Sequence, residues 1–318
     1  MESGIVIKST GSWYQVRLAD GTVTRCRIKG KFRLNGMTLT NPVAVGDKVR
    51  IENEAATTDG INAMIRQIMP RRNYVARQSP RQHHQVHLMV SNIDQAFLFV
   101  TIVQPMLKQG FIDRFLLMTE PHDIPTFLVF NKADLYEPAD LARFELLKKI
   151  YEKIGYHVLL VSALRGDGLD ELKAALKDKT SLLSGQSGVG KSTTVNALQP
   201  NLDLRTEELS DYSGKGQHTT TFAEMHPLDF GGFIVDTPGI KLLAFNNLEP
   251  KDVAHNFREF FQAATHCRFA NCSHKNEPHC AVKAAIESGD ISELRYANYL
   301  QILEEIEDIN YWERHTDI

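Results

Sequence analysis

Eight residues, Gly185-Gln186-Ser187-Gly188-Val189-Gly190-Lys191-Ser192, fit the pattern G-x-x-x-x-G-K-S between an apolar strand-like run at 181–183 and a helix-like run beginning near Lys191. No other feature constrains the fold as much, because the pattern works only where a strand turns directly into a helix. Its glycines let backbone N–H groups curl around a β-phosphate, and Lys191 reaches the β and γ oxygens. Ser192 offers its hydroxyl to Mg2+, with Thr193 following in the same turn. The flanking sequence agrees. From Gln95 onward, apolar strand-like runs at 96–103, 126–130 and 158–161 alternate with helical spacing at 140–154 and 169–176, which predicts a parallel sheet with crossover helices.

Three further short motifs stand at the ends of such runs. Phe233-Ile234-Val235 leads into Asp236-Thr237-Pro238-Gly239, where Asp236 would hold Mg2+ through water and the Gly239 N–H would sense a γ-phosphate. Asn131-Lys132-Ala133-Asp134 follows the run at 127–130. The Asp134 carboxylate can accept two hydrogen bonds, from guanine N1–H and N2–H, a pattern adenine cannot offer. Asn131 would tie this loop to the phosphate loop, and the Lys132 stem would cover the base. Ser162-Ala163 ends the next run, where a backbone N–H would meet guanine O6. The order is guanine loop, Ser-Ala element, phosphate loop, Thr-rich segment and Asp-x-x-Gly, whereas a Ras-like domain begins with its phosphate loop. A circular permutation keeps the sheet intact if the original termini lay close together. It also makes the γ-phosphate-sensing segment at 236–244 run straight into whatever follows.

Charge separates the chain into two parts. Residues 1–90 carry 14 Lys/Arg against 6 Asp/Glu, and the remainder 22 against 33, so a net charge of −3 conceals a basic N-terminus on an acidic body. That asymmetry suggests a polyanion partner, although a merely solvated basic face is the blander reading. Short strand-like runs at 4–8, 13–18, 23–29, 47–53 and 61–68 predict a small OB-type barrel, with Asp20-Gly21 as a type I′ hairpin turn. Along the third run Arg25, Arg27 and Lys29 alternate with Cys26 and Ile28, which puts three cations on one face as a candidate nucleic-acid surface. Residues 70–87 hold four arginines with His83, His84 and His87, and read as a basic linker.

Three of the four cysteines, Cys267, Cys272 and Cys280, fall within 14 residues together with His274. Three thiolates and an imidazole make a closed tetrahedral set for one structural Zn2+, with His266 and His279 as alternatives for the fourth ligand. Around and beyond this cluster the chain reads as helical, ending in a long acidic helix at about 291–312. The longest apolar runs are far short of a membrane span, and the first ten residues lack a signal pattern. A cytoplasmic protein is therefore expected.

Taken together, the basic barrel, the permuted motif order, Gly216-Gln217-His218-Thr219-Thr220-Thr221 and the terminal Cys/His cluster resemble the bacterial ribosome-small-subunit-dependent GTPase A family over essentially the whole chain. The resemblance favours His274 as the fourth zinc ligand. It implies a late assembly factor that binds the small (30S) ribosomal subunit and its 16S rRNA and is released on GTP hydrolysis. The expected organisation is an OB-like RNA-binding barrel at 1–72, a basic linker at 73–90, a circularly permuted α/β P-loop GTPase domain at 91–244 and an α-helical zinc-binding domain at 245–318, in a monomer. The competing expectation is a nucleotide-gated RNA-binding scaffold whose hydrolysis is incidental. After Gly239 comes Ile240, where Ras-like enzymes place a water-orienting Gln. His218 becomes the catalytic candidate beside Lys191, with Thr220 joining Ser192 on Mg2+; the alternative is that His218 only contacts rRNA or caps its loop.

Overall fold

The computed structural model describes residues 1–28, 41–54, 60–78, 86–202, 223–236 and 248–315. At the N-terminus β1 (Glu2–Ser9), β2 (Tyr14–Leu18), β3 (Val23–Ile28), β4 (Lys48–Asn53) and β5 (Ala63–Ile68) pair in the order β1-β2-β3-β5-β4, and β4 closes back on β1. The barrel forms because inward positions are apolar at a period of two. Val6, Tyr14, Val16, Cys26, Val49, Ile51 and Ile65 fill its interior, and closure pairs each of these five described strands on both sides. The β2–β3 turn differs from the expected type I′. Gly21 alone is left-handed (φ 89°), its N–H donates to the Leu18 carbonyl (3.0 Å), and the Leu18 N–H donates to Thr22 O (2.8 Å). This is the longer hairpin in which a left-handed glycine forms a bulge after an ordinary turn.

The segment expected to be a basic linker contains a two-stranded antiparallel ribbon, β6 (Tyr74–Gln78) with β7 (Val86–Ser91). Val75, Leu88, Met89 and Val90 are buried, and these few apolar residues are hidden in the sequence among arginines and histidines. The ribbon's neighbourhood is also where the barrel is fastened. Asp47, fully buried, accepts Arg71 Nε and Nη2 (both 2.6 Å), Ser91 Oγ (2.6 Å) and the Ala44 N–H (2.9 Å). Gly46 (φ 92°) passes so close that a Cβ there would lie 2.0 Å from Ser91 O.

The α/β domain runs β8 (Gln95–Val100), α1 (Phe111–Thr119), β9 (Thr126–Phe130), α2 (Pro138–Lys153), β10 (His157–Leu160), α3 (Leu169–Leu176), β11 (Thr180–Gly185), α4 (Lys191–Leu198), β12 (Glu224–Pro227) and β13 (Phe233–Asp236). Its strands lie in the order β10-β9-β8-β11-β13-β12, parallel except for β12. Every residue of β8 is buried, and alternate side chains feed two cores. Ala96, Leu98 and Val100 meet Phe115 and Leu128 on one face, whereas Phe97 and Phe99 meet Leu172, Leu183 and Ile234 on the other. Covering a sheet on both faces is what makes its strands read as continuous apolar runs. β1 also pairs with β12 at Lys8↔Glu224, so barrel and domain share one sheet.

The C-terminal helices α5 (Pro250–His255), α6 (Arg258–Ala264), α7 (Ala281–Glu287) and α8 (Glu293–His315) pack around Phe257, Phe260, Tyr299 and Leu303. They are joined to the α/β domain through a buried ionic cluster. Arg295, 1% exposed, grips both oxygens of Glu259 (2.7 and 2.9 Å), reaches Asp113 of α1 and lies over the Phe257 ring at 4.2 Å. Tyr151 donates its hydroxyl to Asp113 (2.7 Å), and Asn298 donates to the other Asp113 oxygen. At the edge, Arg258 bonds both Glu120 oxygens (2.9 Å each) across the Tyr156 ring. No helix among the described residues is long and apolar enough to cross a membrane.

Candidate nucleotide site and metal centre

Because β8, β9, β10, β11 and β13 run parallel, their carboxyl ends share one edge of the sheet, and the short motifs identified in the sequence follow four of them. The strand feeding the phosphate loop, β11, sits centrally between β8 and β13 although it comes fourth along the chain among the parallel strands. A Ras-like sheet entered at a different point would have this arrangement.

The phosphate loop leaves β11 at Gly185 and continues through Gln186, Ser187, Gly188 (φ 82°) and Val189 to Gly190 (φ 84°), the N-cap of α4. Gly190 cannot be larger, since a Cβ would stand 2.5 Å from Asn131 Nδ2. Asn131, 1% exposed, donates to Val189 O (2.8 Å) and to Thr194 Oγ1 (3.1 Å), so the two loops are joined as the sequence suggested. Ser192 and Thr193 lie in the first turn of α4. Lys191 donates to Asp236 Oδ1 (2.5 Å), which brings the loop lysine onto the carboxylate at the end of β13.

Around Asp134 the chain is held on several sides. Ser162 Oγ accepts the Arg165 N–H (3.1 Å), which leaves its single proton to donate to Asp134 Oδ1 (2.6 Å), and Arg165 Nη2 donates to Asp134 O (2.6 Å). The Ala133 N–H donates to Val161 O (3.1 Å), and Ala163 follows half-buried. Lys132 is left-handed (φ 63°) and its ammonium donates to Gln104 O (2.7 Å), so its stem crosses toward the loop after β8. Burial holds the Lys132 ammonium below its usual range, against the pull of Asp134. Thr194, Tyr136 and Arg165 are supports that sequence reasoning missed. Tyr136 accepts the Ile102 N–H (2.9 Å) and donates to Asn131 O (3.0 Å), a role no spacing rule signals.

His218, Thr219, Thr220, Thr221, Gly239 and Ile240 lie outside the described residues, as do Lys29, His83 and His84. On the barrel, Arg25 stacks over Trp13 at 4.2 Å and Arg27 pairs with Glu54 at 3.2 Å.

The second centre is the loop between α6 and α7, where the donor atoms of Cys267, Cys272, His274 and Cys280 lie within 4.8 Å of one another. His274 is buried, with Nδ1 3.4 Å from Cys280 Sγ and 3.8 Å from Cys267 Sγ, and neither His266 nor His279 joins the group. Three sulfurs and one imidazole nitrogen converging in this way fit a tetrahedral cation. The Ala281 N–H points at Cys267 Sγ (3.4 Å), as expected around a thiolate. Glu277 staples the loop: it accepts the Ser273 N–H and hydroxyl (2.6 Å each) and the N–H groups of Lys275 (3.0 Å) and Asn276 (3.1 Å). Burial would raise its pKa, but these hydrogen bonds outweigh that and hold it at about 2. Tyr296 and Tyr299 brace the loop through His274 O and Ser273 O (2.8 Å each). Cys26 belongs to the barrel core, where burial pushes its thiol up to about 12.

The sequence profile described as RsgA GTPase matches residues 68–246, and that of the RsgA N-terminal domain matches residues 3–61. Proteins named small ribosomal subunit biogenesis GTPase RsgA are similar along nearly their whole length. That of Phocaeicola vulgatus is 47% identical over 97% of this chain and 98% of its own, and that of Flavobacterium psychrophilum 48% identical over 95% and 92%. Among solved structures, YjeQ from Thermotoga maritima superposes with a TM-score of 0.75 at 36% identity, covering 96% of this chain and 98% of its own. YloQ, described as a circularly permuted GTPase, superposes at 0.71 with 29% identity over 97% and 96%. With matches of this extent to both its barrel and its α/β domain, the chain belongs to the RsgA GTPase family.

Proposed function

We propose that this protein binds GTP at the shared strand edge, hydrolyses it while engaged with the small ribosomal subunit, and acts in that subunit's biogenesis. The observation that carries the reading is the arrangement of Asp134: its side chain is oriented by Ser162 while its neighbour Asn131 is bonded to the phosphate loop, so base and phosphate recognition are locked in register. Asp134 selects guanine, Ala163 supplies an N–H to O6 and Lys132 covers the base. Gly185, Gln186, Ser187, Gly188, Val189 and Gly190 wrap the phosphates, and Lys191 leaves Asp236 for them. Ser192, Thr220 and Asp236 would hold Mg2+, which would supply charge neutralisation on the phosphates, and the Gly239 N–H would sense the γ-phosphate. His218 positions the attacking water in place of the missing Gln.

Cys267, Cys272, His274 and Cys280 hold one structural zinc that ties α6 to α7. The barrel face with Arg25, Arg27 and Lys29 meets 16S rRNA, and the protein works in the cytoplasm as a monomer. The decisive experiment is GTP turnover with and without isolated small subunits. A subunit-dependent rise is expected, and it should largely vanish in His218→Ala. Equal rates with and without subunits would leave only a nucleotide-gated scaffold.

A further inference from the structure

Among the described residues, two attachments of the barrel to the α/β domain differ sharply in character. One is the Asp47-Arg71-Ser91 fastening, in which Asp47 and Ser91 are fully buried and the Arg71 side chain is 10% exposed. The other is a light contact on the β12–β13 hairpin. β1 meets β12 in the single register pair Lys8↔Glu224, and Lys8 Nζ bonds Glu224 Oε2 (2.7 Å) with side chains 30% and 33% exposed. Beside it the Arg17 guanidinium lies 5.4 Å from the Phe233 ring. Water competes for such a part-exposed pair far more than for the other, largely buried fastening.

The light contact falls at a sensitive point. Glu224 stands directly across from Asp236 in the antiparallel β12–β13 pair, so the two carboxylates share a face. Each has its own lysine: Glu224 has Lys8 from the barrel, and Asp236 has Lys191 from the phosphate loop. Along the chain, Thr219 to Thr221 end three residues before Glu224. A shift of the barrel about its buried fastening therefore changes the charge opposite Asp236 and the position of the strand that carries it.

We propose that Lys8 and Glu224 are positioning residues for GTP hydrolysis, forming a releasable latch through which docking of the barrel on the particle acts on Asp236. This rests on the GTPase reading above. With the latch closed, β12 stays bound to the barrel and Glu224 is neutralised. With the latch open, Glu224 adds its charge beside Asp236, strengthening the field that draws a divalent cation there, and the hairpin is free to adjust around the phosphates.

The test is a reversible covalent lock. Lys8→Cys with Glu224→Cys places thiols on directly paired antiparallel positions, whose Cα separation of about 4.5–5.5 Å suits a disulfide. Peptide mapping confirms the bond and the integrity of the other cysteines. Oxidised and reduced forms of this one variant are compared, so any cost of the substitutions cancels. Oxidation is expected to reduce subunit-stimulated GTP turnover at least tenfold, and reduction to restore it, while the affinity for GDP changes less than twofold between the two forms. Equal stimulated rates would overturn the latch. If small subunits fail to stimulate even the unmodified protein, it is the GTPase reading that fails. The rate of disulfide formation in GDP against a non-hydrolysable GTP analogue then decides the latch: slower closure with the analogue supports it, and equal rates dismiss it.

Discussion

Asp134 shows how a single side chain can be held ready for the role proposed for it. Its Oδ1 accepts the Ser162 hydroxyl, which itself accepts the Arg165 N–H, and its own carbonyl accepts Arg165 Nη2, so the segment is held from three sides. Asp134→Asn is expected to weaken GTP about 10- to 100-fold, the scale of losing charge-assisted hydrogen bonds, and to shift preference toward xanthosine triphosphate, whose 2-oxo group can accept from the amide. Competition between the two nucleotides measures this, and unchanged GTP preference would remove Asp134 from its role. Asn131, Asp134, Lys191 and Ser162 were legible in the sequence because each belongs to a fixed spacing at a strand end. Tyr136, Thr194 and Arg165 were not, since their work is done through bonds to residues up to 63 positions away and no spacing encodes it.

At the scale of elements, the loop between α6 and α7 has no regular structure of its own. It keeps its shape through Glu277, the two tyrosines and the convergence of four side chains that could hold a metal ion. The protein is expected to carry one zinc per chain. Cys272→Ser should lower zinc affinity by more than about 100-fold, and Glu277→Ala by about 10-fold, because outer-shell partners set the orientation of the ligands. Zinc release to a chromophoric chelator orders the two variants, and freshly purified protein without zinc would contradict the assignment. The cluster was readable because ligand spacing survives in sequence. The ribbon β6–β7 was not, because its arginines and histidines outvote the few buried apolar residues Val75, Leu88, Met89 and Val90. The barrel strands stood out for the opposite reason: turn residues punctuate them and alternation is clean, although the turn at Gly21 proved one residue longer than Asp-Gly implied.

At the scale of the whole molecule, the Arg295 cluster makes the C-terminal helices and the α/β domain one mechanical body. Arg295→Met would leave Asp113 and Glu259 as buried carboxylates without a cation, a loss of about 3–5 kcal/mol. Thermal unfolding should fall by about 10 °C, and adding Asp113→Asn and Glu259→Gln should recover part of that. No fall would mean that water or another cation already reaches the cluster.

The strand order has a further consequence during synthesis. The ribosome delivers β8, β9 and β10 before β11, and the cation that Asp113 requires comes from a residue 182 positions later. Until β11 emerges the sheet has an open edge beside β8, and until α8 emerges Asp113 has no cation and Leu117 of α1 has no C-terminal core to pack against. Contacts closed over such long loops form slowly, and unpaired edges invite wrong partners. The nascent protein therefore cannot bind its nucleotide until most of the chain is made, and it completes its last domain by folding backwards onto its first helix.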